Sequence, residues 1–443
     1  MKTYLVGGAV RDELMGLPAG DRDWVVVGAT PEQMRAQGYR QVGREFPVFL
    51  HPVTGEEYAL ARTERKAGKG HLGFVVHAAP TVTLEEDLAR RDLTINAIAR
   101  DADGRLIDPF GGLADLEMRV LRHVTAAFRE DPLRVLRLAR FAARFPHFTV
   151  ANETLALCRC MVEGDELETL TPERIWQEIS RGLGTGKPSR MFEVLREMGA
   201  LERIAPEIDR LWRTSSRGQT VSGGDVASLA MHAIDYAAER NWPIDTRFAA
   251  LTHALDQGEA PAPPQSEQNG HGTTRAFAVD CLAARWRMPR HIHELARLMV
   301  AEHEHIDRLA ALSSAAIHDL LMRCDALRRP DRFARMLDAC EAVHASRLHH
   351  AGRTSEATRW PARHDAERAL AAMRGVDAAA IARTVGEAKS RHATKPADVG
   401  LASFIVPRQE TREMVESASH RIAAALRQAR IEAIDAARQS SGR

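Results

Sequence analysis

The spacing of apolar positions divides the chain into a short mixed part and a long helical part. Up to about residue 125, short β-branched runs alternate with short helical patterns, which is typical of one small sheet flanked by helices. The predicted strands are residues 4–6, 23–27, 48–50, 57–61, 74–76 and 106–107. The predicted helices of this part are residues 9–15, 31–37, 84–90 and 113–117. The pattern therefore indicates an α+β fold with a mixed-sheet head.

From about residue 131 onward the strand signal almost vanishes and helical spacing dominates. The first predicted helices there are residues 131–145, 153–162, 172–182 and 191–198. A polar, Gly- and Ser-rich linker is predicted at 214–224, and a long Pro- and Gly-rich loop at 257–274. The last ~15 residues read as a charged helix end that frays.

The composition of the chain restricts its possible functions less than the pattern of apolar positions restricts its fold. The 443 residues carry 61 basic and 60 acidic side chains, so a nucleic-acid partner would need a local basic surface. The five cysteines include no CxxC pair and are expected to be free thiols in a reducing cytoplasm. Because the chain has no apolar run of the length that crosses a bilayer (about 18 residues), no membrane span is expected.

Candidate chemistry is concentrated near the start of the chain. An apolar run ends in Gly7 and Gly8, Arg11 follows, and Asp21 and Asp23 open the second predicted strand. Alternate residues of a strand point to the same side, so the two carboxylates are expected side by side, where Mg²⁺ would relieve their repulsion. Glycines let backbone N–H groups approach a phosphate, and an arginine adds a charged fork. Together these features predict a nucleotidyl-transfer site.

Either feature alone is more often a turn or a solvated loop. Their conjunction, G-G-x-V-R-D followed by D-x-D, resembles the nucleotidyltransferases of the polymerase β type, and more narrowly the class II tRNA nucleotidyltransferase and poly(A) polymerase family. The resemblance implies that Asp21 and Asp23 are catalytic metal ligands and that Gly8 and Arg11 bind the nucleotide.

A second motif, R-R-D-L-T-I-N-A at 90–97, also resembles this family. Taken alone it could be a salt-bridged helix surface. The resemblance implies that Arg91 contacts the incoming nucleotide, that Asn96 braces the site, and that Asp92 holds the local backbone or a sugar. The turn D-P-F-G-G at 108–112 is expected to be a hinge between head and neck.

A third motif starts at Asp131 and places arginines at positions 134, 137 and 140 along a predicted helix. Without the other motifs, a basic solvated helix face would explain it. In the family, the Asp and the first Arg read the base edge, which implies base selection by Asp131 and Arg134. Cytosine and adenine both offer an amino group beside an acceptor, so one protein template could choose both. Arg137 and Arg140 would hold the triphosphate or the base.

Two further blocks, 44–49 and 57–66, resemble the bacterial CCA-adding branch of the family. Arg62 begins a basic stretch that reads as a flexible loop beside the site. Glu57 is a possible third carboxylate, although the sequence gives it little support.

The second half resembles the HD metal-dependent phosphohydrolase domain that follows the core in some CCA-adding enzymes. Those domains need adjacent His and Asp ligands, whereas here Ala254 follows His253 and cannot bind a metal. His303 and His305 are two apart on a predicted helix, a poor geometry for sharing one ion. A degenerate helical domain retained for packing or RNA binding is the alternative, and phosphohydrolase activity is expected to be lost or weak.

The resemblance implies template-independent addition of CCA to the tRNA 3′ end from ATP and CTP, with Mg²⁺ as the cofactor. Poly(A) polymerase, a non-catalytic RNA-binding protein and an HD phosphohydrolase remain the rivals. Monomer and homodimer both stay open, as does the choice between adding CC, A or all three nucleotides. The expected domains are a head at 1–125, a neck and body at 126–213, a degenerate HD-like domain at 225–415 and a helical tail at 416–443.

Overall fold

A computed structural model describes residues 1–18, 20–42, 48–66, 74–216, 225–255, 276–353, 360–393 and 408–440. The strands are β1 (Lys2–Val6), β2 (Asp23–Val27), β3 (Arg40–Val42), β4 (Val48–Leu50), β5 (Glu57–Leu60), β6 (Thr63–Lys66), β7 (Phe74–His77), β8 (Ala99–Arg100), β9 (Leu106–Ile107), β10 (Val120–Leu121) and β11 (Thr149–Val150).

The head is built on a seven-stranded sheet in the order β3-β4-β5-β2-β1-β8-β9. Strand β2 pairs with β5 in parallel and with β1 in antiparallel orientation, so the sheet is mixed, as predicted. Apolar side chains of β1 and β2, including Val6 and Val25, pack beneath the helices of the head. Strand β2 lies at the centre of the sheet and is held by a neighbouring strand on each side. This arrangement fixes the start of β2, where the two candidate carboxylates lie.

The helices of the head and neck are α1 (Gly8–Leu14), α2 (Pro31–Ala36), α3 (Leu84–Ala89), α4 (Gly112–Met118), α5 (Leu133–Arg144), α6 (Asn152–Glu163), α7 (Pro172–Leu183), α8 (Ser189–Glu197), α9 (Ala200–Ile204) and α10 (Pro206–Ser216). The remaining helices are α11 (Val226–Glu239), α12 (Ile244–Thr252), α13 (Phe277–Trp286), α14 (Arg290–Asp307), α15 (Ser314–Arg323), α16 (Pro330–His350), α17 (Pro361–Arg374), α18 (Ala378–Ala393) and α19 (Arg408–Gln439).

One continuous apolar core runs through the neck and the second half of the chain. It includes Phe141 of α5, Ile179 of α7, Phe248 of α12 and Trp286 of α13. The α+β head followed by a mostly helical remainder therefore agrees with the sequence pattern, except for the short strand β11 in the neck. None of the described helices is long and apolar enough to cross a lipid bilayer.

Several local predictions need correction. Residues 63–66, expected in a flexible loop, form β6, which pairs with β7 in a separate two-stranded ribbon. The turn at 108–112 caps α4, where Asp108 accepts hydrogen bonds from the Gly112 and Leu113 amides, and its role as a hinge stays a prediction. The expected fraying of the last residues is wrong, because α19 continues to Gln439 with Ile434 fully buried. The predicted boundary at 416 falls inside this helix.

The predicted loop at 257–274 lies outside the described residues, as do residues 44–47 of the first block and residues 67–71, into which the basic stretch from Arg62 continues. All five cysteines are described and free, as expected.

Candidate active site

All nine predicted site residues line a single cavity of about 760 Å³ between the head and helices α5 and α7. The predicted residues in its wall are Gly8, Arg11, Asp21, Asp23, Arg91, Asp131, Arg134, Arg137 and Arg140. The wall also contains Gly7, Arg62, Arg90, Asp92, Asn96, Leu133, Phe141, Arg144, Arg174 and Arg181. Motifs that are far apart in the sequence therefore meet in space.

The two glycines form the turn between β1 and α1. Gly7 has a φ of 73°, a left-handed conformation that L side chains rarely adopt. A Cβ atom at this position would lie 2.9 Å from a terminal nitrogen of Arg91. Glycine is therefore favoured here by the left-handed turn, and the missing Cβ also leaves room for the Arg91 guanidinium.

The two candidate metal ligands lie at the start of β2. Asp23 is the first residue of the strand, and Asp21 precedes it in the lead-in segment, so the prediction that both sit on the strand holds only for Asp23. On the neighbouring parallel strand, Glu57 is the register partner of Asp23. Partial burial raises the pKa of Asp23, Arg91 opposes this shift, and the charges of Glu57 and Asp21 add to it.

Asp21 and Asp23 differ from the other two carboxylates of the cavity wall. Asp92 and Asp131 each form an ion pair with an arginine, whereas no arginine or lysine among the described residues lies within 4 Å of Asp21 or Asp23. Carboxylates left without a basic partner suit a hard divalent cation. Within the described ranges no three acidic, His or Cys side chains form a complete metal site, so nucleotide or water oxygens would have to complete the coordination.

Arg11 is buried, with 2% of its surface exposed, and is held by its neighbours. Its guanidinium donates twice to Asp12 Oδ1, at 2.9 and 2.8 Å, and also to the side chain of Asn96. Arg144 of α5 reaches the other oxygen of Asp12 at 2.8 Å. Arg11 thus joins α1 to the second motif through Asn96, which also donates to Asp92.

Asp92, which is itself part of the cavity wall, holds the side chain of Arg137 in place. The Nε and Nη2 atoms of Arg137 donate to one oxygen of Asp92 at 2.9 and 2.6 Å, and Asn96 donates to the other oxygen at 2.9 Å. Burial alone would raise the pKa of Asp92, but the charge of Arg137 and the hydrogen bonds outweigh burial and hold this pKa well below its usual range. Asp92 stays ionised and fixes the direction of Arg137.

Asp87 performs the same role for the paired arginines of the second motif. Its carboxylate is fully buried and accepts from Arg90 at 2.7 Å and from Arg91 at 3.3 Å. Burial raises the pKa of Asp87, but the two arginines outweigh it, and the net shift is downward. The Arg91 guanidinium is thereby held over Gly7, close to Asp23.

The proposed base-reading residues stand at the start of α5. The carboxylate of Asp131 accepts from the Leu133 amide at 3.1 Å, although the residue at the N-cap position of α5 is Pro132. Arg134 donates to the carbonyls of Ala127 and Arg90, at 2.7 and 2.6 Å. Both side chains are therefore fixed in position while still lining the cavity.

Helix α7 supplies site residues that the sequence interpretation missed. Arg174 donates to Asp131 at 2.9 Å, and Glu178, only 1% exposed, accepts from Arg140 at 2.6 Å. Arg181 lies one turn further along the same face and lines the cavity. The spacing i, i+4, i+7 of these charged residues on an otherwise amphipathic helix was the available signal.

The cavity is strongly basic although the chain as a whole is not. Its wall carries ten arginine and four aspartate side chains. The local basic surface that a polyanion requires is therefore present here. Such a wall suits a nucleoside triphosphate beside a nucleic-acid end.

The candidate HD site in the second half contains a pair of histidines. His253 and His303 are buried, and their ring centroids lie 5.7 Å apart. Each Nδ1 donates to a carbonyl of its own helix turn, and burial, followed by the charge of His303, lowers the pKa of His253 to about 3. Ala254 lies beside them with no ligand atom. Asp256 and His271 lie outside the described residues.

Comparison with known protein families places the same motifs in context. Residues 3–122 match the poly A polymerase head domain, and residues 147–211 match the probable RNA and SrmB-binding site of polymerase A. The fold is similar to that of the Bacillus stearothermophilus CCA-adding enzyme in complex with CTP, with a TM-score of 0.62 at 22% identity over 99% of this chain and 94% of that chain. It is also similar to the Thermotoga maritima CCA-adding enzyme complexed with tRNA_CCA, with a TM-score of 0.51 at 21% identity over 83% of this chain and 86% of that chain.

Sequence relatives are much closer than these structures. The Multifunctional CCA protein of Burkholderia orbicola (strain MC0-3) is 53% identical over 392 residues, which are 87% of this chain and 94% of the relative. The protein of the same name from Verminephrobacter eiseniae (strain EF01-2) is 55% identical over 386 residues, 86% of this chain and 92% of the relative. With the head-domain match and the shared fold, this identity shows that the chain belongs to the family of bacterial multifunctional CCA proteins.

Proposed function

We propose that this protein adds C, C and A to the 3′ end of tRNA, using CTP and ATP and releasing pyrophosphate. The observation that carries the proposal is the convergence of three separate motifs on one arginine-rich cavity that contains an unpaired pair of carboxylates. The names of the relatives and of the structural neighbours support the same reaction.

Asp21 and Asp23 are the residues that would hold Mg²⁺. A bound divalent ion would supply positive charge for the attacking 3′-hydroxyl and for the departing pyrophosphate. Glu57 lies beside Asp23 on the neighbouring strand and has the same charge. Because the described arginines do not form ion pairs with Asp21 or Asp23, this negative charge suits a divalent cation.

The arginines would bind the triphosphate and hold it in line for attack. Arg91 lies over Gly7, so its guanidinium and the backbone of the glycine turn face the same part of the cavity. Arg137 is directed into the cavity by Asp92. Positioning and charge stabilisation supply most of the catalysis in phosphoryl-type transfer, so side chains already locked by buried carboxylates are suited to it.

Asp131 and Arg134 would select the base. A carboxylate accepts from an exocyclic amino group, and a guanidinium donates to the neighbouring ring nitrogen or carbonyl. Cytosine and adenine present this pair of groups, whereas uracil and guanine present a carbonyl where the amino group is needed. A single protein template therefore suffices for both nucleotides.

The test uses purified protein and tRNA transcripts that end before C74, before C75 and before A76. Each transcript is incubated with one nucleotide at a time, and products are separated on sequencing gels. The expected result is addition of C to the first two transcripts, addition of A to the third, and no product from Asp21→Asn. Addition of A to all three transcripts would favour a poly(A) polymerase, and activity in Asp21→Asn would contradict the metal assignment.

A further inference from the structure

We propose that Arg247, in the degenerate HD-like domain, anchors helix α7 and that this anchor influences nucleotide choice by the base-selecting residues on the other side of the helix. This inference deepens the proposed function and rests on it, because it assumes that the cavity selects nucleotides. It assigns a role in nucleotide choice to a domain whose candidate metal site lacks a ligand at Ala254.

One face of α7 is tied to the cavity. Arg174 donates to both oxygens of Asp131, at 3.2 and 2.9 Å. One turn later, Glu178 accepts from Arg140 at 2.6 Å and lies 3.5 Å from Arg181. Because residues four apart lie on the same side of a helix, a shift or rotation of α7 would move both contacts together.

The opposite face of α7 is tied to the HD-like domain along its whole length. Near the start of the helix, Glu173 forms an ion pair with Arg287. In the middle, the Trp176 ring packs edge-on against Phe248, with centroids 6.1 Å apart, and at 6.2 Å from the Trp286 ring. These partners come from α12, from α13 and from the residue that follows α13.

The end of α7 is capped by Arg247 of α12. The last carbonyls of a helix have no partners within the helix, so they need donors from elsewhere when they are buried. Arg247 is 6% exposed and donates from Nη1 to the carbonyls of Leu183 and Thr185, at 2.7 and 2.8 Å. Its Nε donates to the Trp242 carbonyl at 2.7 Å, which fixes the guanidinium itself. Its positive charge also suits the negative end of the helix dipole.

The geometry makes α7 a rigid link between the domain that contains Arg247 and the residues that read the base. Discrimination between bases depends on hydrogen bonds whose donors and acceptors must be placed closely, and small displacements weaken them strongly. Loss of the anchor should therefore reduce selectivity more than it reduces the rate with the correct nucleotide.

The experiment measures kcat/KM for each of the four nucleotides on tRNA transcripts that lack part of CCA. The test variants are Arg247→Met, Arg174→Met and Glu178→Gln. Arg438→Met is the matched control for the anchor, because Arg438 also donates to two backbone carbonyls, those of Leu312 and Ala310, at the far end of the chain. Glu302→Gln is the control for Glu178, because Glu302 is also buried and paired with an arginine.

The expected result is a fall of about tenfold in the preference for C and A over U and G in each test variant, equivalent to the loss of one hydrogen bond. Both controls should keep the wild-type preference, and Arg247→Lys, which retains a donor, should recover part of it. If Arg247→Met does not fold in a melting experiment, Trp176→Phe tests the same anchor and should lower the preference in the same direction.

A preference equal to that of the controls in the folded anchor variants would overturn the inference, even if all four rates fell together. Wild-type protein that added no nucleotide to any transcript would instead overturn the proposed function, so the two failures are distinguishable.

Discussion

Replacing Asp23 with asparagine should stabilise the free protein while abolishing nucleotide addition. Partial burial is the largest cause that raises the pKa of Asp23, and repulsion from Glu57 and Asp21 raises it further. The positive charge of Arg91 opposes this shift without cancelling it. A carboxyl whose folded pKa lies above its unfolded value opposes folding when charged, so removing its charge at pH 7 stabilises the fold. Part of the Asp23 side chain still faces solvent, and screening limits the gain to about 0.2–1 kcal/mol.

Urea unfolding at several pH values, without divalent ions, measures this effect. The advantage of Asp23→Asn should disappear as the pH falls through the pKa of Asp23, because the wild-type carboxyl is then neutral as well. Mg²⁺ should stabilise the wild type, by about 2.7 kcal/mol at a hundred times its Kd, and should stabilise the variant much less. Asp103→Asn, in the turn between β8 and β9, is the control.

The reasoning is refuted if Asp23→Asn is less stable than the wild type in the absence of metal. It is also refuted if Mg²⁺ stabilises the variant and the wild type equally, since Asp23 would then not be a ligand.

Three further outcomes are expected. Asp131→Asn or Arg134→Met should relax base choice, with a loss of about 1–3 kcal/mol in discrimination between bases and a smaller change in the KM for CTP. If both variants stay strictly selective, other residues choose the base. Asp92→Asn should lower the free energy of unfolding by about 3 kcal/mol at pH 7. This value is at the low end of the range for breaking a buried ion pair, because Arg137 is 34% exposed. Since the pKa of Asp92 is lowered on folding, this cost should shrink below about pH 4, and a cost independent of pH would show that Asp92 is not ionised. With 2′,3′-cyclic AMP and Ni²⁺, Mn²⁺, Co²⁺ or Mg²⁺, little or no turnover is expected; metal-dependent hydrolysis that disappears in His253→Ala would prove the HD-like site active.

The sequence predicted the cavity wall because its motifs are local. The turn at Gly7 and Gly8 and the alternation around Asp23 each follow from a few neighbouring residues and from simple backbone rules. Either segment alone is ambiguous, and the other residues of the wall were assigned because the motifs together resemble those of a known family.

The partners of these residues could not be predicted in the same way. Arg174 is 43 positions from Asp131, and Glu178 is 38 positions from Arg140, so each pairing depends on how α5 and α7 pack. The strands β10 and β11 were missed because they depend on pairing with each other, Val120 with Thr149 and Leu121 with Val150, across an intervening helix. The helical continuation to Gln439 was missed because one buried residue, Ile434, and contacts to distant carbonyls hold a sequence that looks solvated.

The most direct test of the central claim is the length and sequence of the product when CTP and ATP are both in excess. A tRNA transcript without CCA is incubated with the protein and Mg²⁺, and the extended 3′ ends are sequenced. We predict extension by C, C and A and then a stop, with the base chosen by Asp131, which Arg174 holds, and by Arg134, which two backbone carbonyls hold. A long run of A, or a mixture of all four nucleotides, would contradict it.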